Sequence, residues 1–218
     1  MITKDMTLAD VVKVHPNTIG FLNGLHLDYC CGGHDPIGQA VAARGLDVDK
    51  FLKDLNEAVS RPTAMSNVQE NIEAFKILSV DNMLDSLEAE QLMNKILIVH
   101  YPHHSELLTR LHHLYGMLKI DLEEHFAKEE RLVFPLMPEH PHPDADTLAY
   151  VKELIEEHSD AGDIIKEIES LTDNFTPPAD ACPTFVRTYT VMEALFNDIF
   201  IHIFKENSIA FPEYMEQA

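Results

Sequence analysis

The chain has 218 residues, 45% of them hydrophobic, which is enough apolar material for a real core in one large domain or two smaller ones. Sixteen basic against 37 acidic residues leave a formal charge of −21, so nucleic acid and anionic membrane are excluded as electrostatic partners. The N-terminus lacks the apolar stretch of a signal peptide, no window approaches a membrane span, and three Cys do not make a disulfide framework; a reducing cytoplasm is expected.

The helical period dominates and strand signals are sparse, so the expected fold is all-α. Residues 1–62 read as a small helical domain. Thr7 caps a first helix that ends at His15-Pro16, a second runs from Thr18 to Leu25, and two more cover Pro36 to Arg44 and Asp47 to Ser60 with Gly45 between them. Between the second and third lies Asp28-Tyr29-Cys30-Cys31-Gly32-Gly33. Two thiols before two glycines at a turn read, from spacing alone, first as a pair of small buried residues; the alternative is a pair of exposed thiols with backbone N–H groups favouring a thiolate. Arg61-Pro62-Thr63 reads as a linker.

Residues 63–218 read as an antiparallel four-helix bundle. The first long helix runs from Asn67 to about His100 and ends at Pro102. The second covers Ser105 to Pro135, the third about Asp146 to Leu171, and the fourth about Thr184 to Ala210. His140 and His142 fall in a Pro-rich loop expected to face solvent.

One pattern occurs twice. His125, Glu129, Phe134 and Pro135 are repeated, at the same spacing, by His202, Glu206, Phe211 and Pro212. On a helix, i and i+4 share a face, so each copy aims an imidazole and a carboxylate in one direction, and each Pro is expected to close its helix. His158 lies on the apolar stripe of the third helix, and His100 sits at the end of the first. Burying several His and two Glu without a metal would leave large desolvation costs, so a metal centre is expected in the bundle. Imidazole and carboxylate ligands suit iron or zinc, and two carboxylates on facing helices favour a dinuclear centre.

These residues, with Glu157-His158-Ser159-Asp160-Ala161-Gly162 between the two copies, resemble hemerythrin-like domains. The N-terminal Asp28-to-Gly33 stretch resembles the cap of the repair-of-iron-centres family of di-iron proteins. The resemblance implies two non-haem, oxo-bridged Fe ions per chain, with Glu129 and Glu206 bridging and His125, His158 and His202 terminal; His100 matches a further ligand. It implies a stress-induced cytoplasmic protein that restores iron–sulfur clusters damaged by nitric oxide or peroxide. Its partners would be apo or damaged iron–sulfur proteins, with nitric oxide or oxygen as small ligands and a homodimer as one assembly the reading allows. Cys30 and Cys31 match the family's paired thiols, which would relay iron or handle nitric oxide.

One departure stands out. The family's additional first-helix His would fall on Ser79 here; Asp81 or Asp85 could replace it, or one iron could keep a vacant position. A second alignment makes His100 or His104 the first-helix ligand and His112 or His113 the next. Three functions follow: iron donation or nitric oxide removal in cluster repair, catalytic nitric oxide reduction to nitrous oxide, or non-catalytic binding and sensing of a diatomic.

Overall fold

The structure is a computed structural model. It describes the backbone of residues 1–60, 72–139 and 142–216, and the side chains of 1–59, 86–137 and 142–216. The linker expected at Arg61-Pro62-Thr63, the exposure expected of His140, and the side chains of Ser79, Asp81 and Asp85 lie outside the described residues. Among the described residues there are helices and one isolated bridge, Thr7 with Pro36, but no strand. Nor is any helix long and apolar enough to cross a membrane.

The chain divides into two units, Met1–Asn71 with Phe200–Glu213, and Ile72–Ile199 with Tyr214–Ala218. The first begins with α1 (Leu8–Val14), where Thr7 Oγ1 accepts the Asp10 N–H at 3.0 Å as the sequence leads one to expect. A 3-10 turn (Pro16–Thr18) leads into α2 (Ile19–Asn23), followed by α3 (Ile37–Ala43) and α4 (Val48–Ser60). Leu8, Val11, Val12, Leu22, Ile37, Val41 and Leu55 are completely buried and form the core of this small unit. Asn56 ties α4 to the N-terminus, accepting the Ile2 N–H at 2.8 Å and donating to the Ile2 carbonyl at 3.0 Å.

In the second unit the longest helical run is α5 (Ile72–Lys128), bent at His104, whose φ of −132° and ψ of 33° are not helical. Tyr115 Oη donates to the Ser86 carbonyl at 2.7 Å, Lys119 Nζ to Glu90 at 2.6 Å, and His112 meets Asn94 at 3.0 Å. Residues 18 to 29 apart cannot touch on one straight helix, where they would be separated by about 27 Å or more. α5 is therefore two antiparallel arms, 72–103 and 105–128. The expected break at Pro102 moves by two residues: helix continues through Pro102, and His104 takes the turn.

A π-helical turn, Glu129–Val133, joins the second arm to α6 (Phe134–Glu139). Then α7 (Ala145–Leu171) begins at Asp144, not Asp146, with the Asp144 carboxylate accepting the Thr147 N–H at 2.9 Å. α8 (Pro183–Lys205) starts with Pro at its first position, where the missing N–H costs nothing. Its residues to Ile199 belong to the second unit and those from Phe200 to the first. A second π-turn, Glu206–Ala210, and α9 (Phe211–Met215) complete the chain. Arms 72–103 and 105–128, α7 and the first part of α8 are the four helices of the bundle. Met93, Ile96, Leu111, Leu118, Leu154, Ile165, Met192 and Phe196 are buried in it.

Pro135 and Pro212 do not close their helices. Each sits in the first turn of the next helix, after a π-turn in which the Phe134 or Phe211 N–H bonds the Glu129 or Glu206 carbonyl. Widening the turn by one residue relieves the clash a proline ring makes with the carbonyl four residues back, so the chain continues past it.

Candidate metal centre

Both copies of the repeated pattern place their carboxylate at the first residue of the π-turn. In the first, His125 Nε2 lies 3.0 Å from Glu129 Oε1; in the second, His202 Nε2 lies 2.8 Å from Glu206 Oε1. Both glutamates are 0% exposed and both histidines nearly so.

In the second unit, His158 joins the first pair, its Nε2 2.9 Å from His125 Nε2 and 3.9 Å from Glu129 Oε1. One ligand atom from each of His125, Glu129 and His158 falls within 4.8 Å of the others. The far side of the His125 ring settles its tautomer. Nδ1 is 2.8 Å from Glu157 Oε2, and Lys128 pairs with the same carboxylate. Burial alone would raise the Glu157 carboxyl, but hydrogen bonds from Lys128 and His125 hold it below the usual range. An ionised carboxylate only accepts, so His125 Nδ1 donates and its Nε2 presents a lone pair to Glu129 and His158. Two imidazole nitrogens and a carboxylate oxygen thus converge, buried, with the carboxylate–histidine support usual for metal ligands. A divalent cation fits this donor set, which would offer it two imidazole nitrogens and a carboxylate oxygen. Sequence reasoning missed Glu157 as the orienting partner, although its place one residue before His158 gave a signal.

A cleft of about 220 Å³ opens beside His125 and His158. Asp121, Glu124, Glu157 and Asp160 line it together with Lys128, giving the approach a predominantly acidic wall.

His100 is not part of this cluster, contrary to expectation. The bend at His104 folds the first arm back, and the 21 residues from His104 to His125 span about 30 Å of helix. His100 instead meets Cys182, Nε2 to Sγ 3.2 Å, while His104 Nε2 donates to Asp180 at 2.9 Å. The Cys182 thiol is pulled down to about 7 by the His100 hydrogen bond first, then by the Phe185 backbone N–H. His112 and His113, the further ligands of the second alignment, stay on the arm 105–128, with His112 bonded to Asn94. His142 is exposed, as expected of its loop.

The Cys30–Cys31 turn takes the buried arrangement at Cys30, not the exposed thiolate. Cys30 is buried, and the backbone N–H groups of Cys30 and Cys31 point to Asp28 Oδ1 at 3.0 and 2.9 Å instead of to a thiolate. The Cys30 thiol donates to the same oxygen at 3.3 Å. Burial chiefly, with the Cys31 hydrogen bond and the Asp28 charge, pushes this thiol well above its ordinary value. The two sulfurs are 3.5 Å apart and unbonded, and Cys31 is half-buried. Gly33 has no substitute here: a Cβ would lie 2.2 Å from the Tyr29 carbonyl oxygen. Tyr29 packs edge-on against Phe204, ring centres 5.8 Å apart, on the stretch of helix between His202 and Glu206.

Residues 68–214 match the family model of the hemerythrin HHE cation binding domain. The chain belongs to the hemerythrin family. Ahead of the hemerythrin domain, residues 4–59 match a domain of unknown function, DUF542. Over nearly its whole length the chain is similar to proteins named iron-sulfur cluster repair protein YtfE. That of Enterobacter sp. (strain 638) is 26% identical over 233 residues, covering 97% of both chains. That of Dickeya chrysanthemi (strain Ech1591) is 29% identical over 220 residues, covering 96% of both. The Escherichia coli O81 (strain ED1a) relative is 24% identical over 233 residues, covering 97% of both.

Proposed function

We propose that this hemerythrin repairs iron–sulfur clusters damaged by nitrosative or oxidative stress, by donating iron from a di-iron, oxo-bridged centre. The residues that would hold the iron are His125, Glu129, His158, His202 and Glu206. The observation that carries this reading is the duplicated His–Glu pair, buried in both copies and followed in both by a π-turn. The names of the relatives support repair as the task. Bound iron supplies redox chemistry and positions for a small diatomic. The chain's own residues do the rest. Glu157 fixes the His125 tautomer, Lys128 anchors Glu157, and the acidic wall of Asp121, Glu124 and Asp160 draws a cation through the cleft. Damaged iron–sulfur proteins are the partners, in a reducing cytoplasm where Cys30, Cys31 and Cys182 remain free thiols. Cys31, the less buried of its pair, is the thiol that would meet iron in transit.

Iron transfer to an apo iron–sulfur protein tests this. The anaerobic wild-type chain is expected to carry two irons, lose them in proportion to clusters restored, and show near-ultraviolet oxo-bridge bands. The Glu129→Ala, Glu206→Ala double variant should lose the bands and the transfer together. Nitrous oxide formed over many turnovers with no loss of iron would overturn donation in favour of catalysis.

A further inference from the structure

We propose that His100, His104, Asp180 and Cys182 form a second metal site, separate from the His/Glu centre, that takes a single zinc-like divalent ion. All four side chains belong to the second unit. His100 and His104 lie four residues apart at the bend of α5; Asp180 and Cys182 come from the segment that leads into α8. One ligand atom from each of His100, His104 and Asp180 falls within 4.8 Å of the others, and Cys182 Sγ is 3.2 Å from His100 Nε2.

The donor set is two imidazole nitrogens, one carboxylate oxygen and one sulfur, the mixture a borderline-soft ion without redox chemistry accepts. In a tetrahedral zinc site, neighbouring nitrogen, oxygen and sulfur ligands sit about 3.4–3.6 Å apart. The observed 3.2 Å between His100 and Cys182 and 2.9 Å between His104 and Asp180 come within a few tenths of an ångström or so of those edges. Small side-chain rotations open them.

The site is also built to stay in place. Phe185, completely buried, packs edge-on against both imidazoles, ring centres 5.1 and 6.0 Å away. The incoming segment starts with three consecutive left-handed residues, Asp173, Asn174 and Phe175, at φ of 50°, 52° and 56°. Phe175 is held there by burial against Tyr189 and Phe196 and by its N–H bond to Thr172 Oγ1 at 3.1 Å. The Val186 N–H bonds the Cys182 carbonyl at 3.1 Å, which fixes Cys182 to the start of α8. Asp180 is the exposed member, so an ion can enter from solvent.

The experiment loads the iron-bound chain with Zn²⁺, desalts it, and measures zinc and iron per chain, while alkylation of each cysteine is followed by peptide mass spectrometry. We expect about one zinc per chain at unchanged iron, with alkylation of Cys182 slowed at least about tenfold and that of Cys31 unaffected. Cys182→Ser and His104→Gln should each abolish zinc uptake and leave iron in place. Zinc taken up at the expense of iron, zinc retained in both variants, or Cys182 alkylated at the same rate with and without zinc would overturn the proposal. The alkylation readout in the wild-type chain decides the matter even if a variant fails to fold.

Discussion

Cys30 and Cys182 each have an ionisable side chain at closely similar range, Asp28 at 3.3 Å and His100 at 3.2 Å, yet the two thiols are driven in opposite directions. Around Cys30 there is burial, a negative carboxylate and a second thiol, and the backbone N–H groups that could have stabilised a thiolate are already engaged by Asp28. Around Cys182 there is an imidazole, the first N–H groups of a long helix, and little burial. Distance to the neighbour is nearly the same; burial first, then the neighbour's charge and who owns the nearby N–H groups, decide. Glycines after a cysteine pair are therefore a poor sign of an activated thiol when an aspartate stands two residues ahead of it.

The contrast is sharpest in reactivity. In chelator-washed protein near pH 7.5, alkylation read cysteine by cysteine should modify Cys182 at least about 100-fold faster than Cys30. Comparable rates would mean that the Asp28 turn does not hold in solution. Gly33→Ala attacks that turn directly: the new Cβ collides with backbone, not with a movable side-chain tip. A loss of about 3 kcal/mol or more in denaturant unfolding is expected, with faster alkylation of Cys30 as the N-terminal unit loosens. Removing the imidazole weakens the other side. His100→Gln should move the alkylation midpoint of Cys182 from about 7 towards the ordinary thiol value near 9. Thiolate is lost as its pKa rises, so the rate at pH 7 falls about tenfold while the rate at pH 10 hardly changes. The smallest change carries the same logic to a carboxylate. Glu157→Gln keeps the shape beside His125 and removes the charge that fixes its tautomer, so iron affinity in a competition titration should fall about tenfold. An unchanged affinity would show that Glu157 is not an orienting partner.

The sequence made the local features legible. His and Glu four residues apart, apolar stripes of helical period and capping residues such as Thr7 depend on neighbours a few positions away, and the structure has them where the spacing predicts. What it hid depends on distant partners or on competition. Pro135 and Pro212 read as stops because a proline opposes an α-helix; that a π-turn could absorb each one left no residue-level mark. His100 reads as a ligand from its place at the end of the first helix and from the family resemblance, but its location follows from the bend two residues past Pro102. Cys182 and Asp180 drew no attention, since their meeting with His100 and His104 crosses about 80 residues of chain. Still, two histidines four apart and a cysteine at a helix start were visible signs.

The two π-turns also bear on how freely the two buried carboxylates can move. Glu129 and Glu206 each stand where a tightly wound helix gives way to a looser loop of backbone, so the carboxylate has regular helix behind it and slack ahead. A carboxylate so placed has room to shift by a fraction of an ångström without unwinding the turn before it. His125 and His202, one turn back, stand on regular helix and lack that slack.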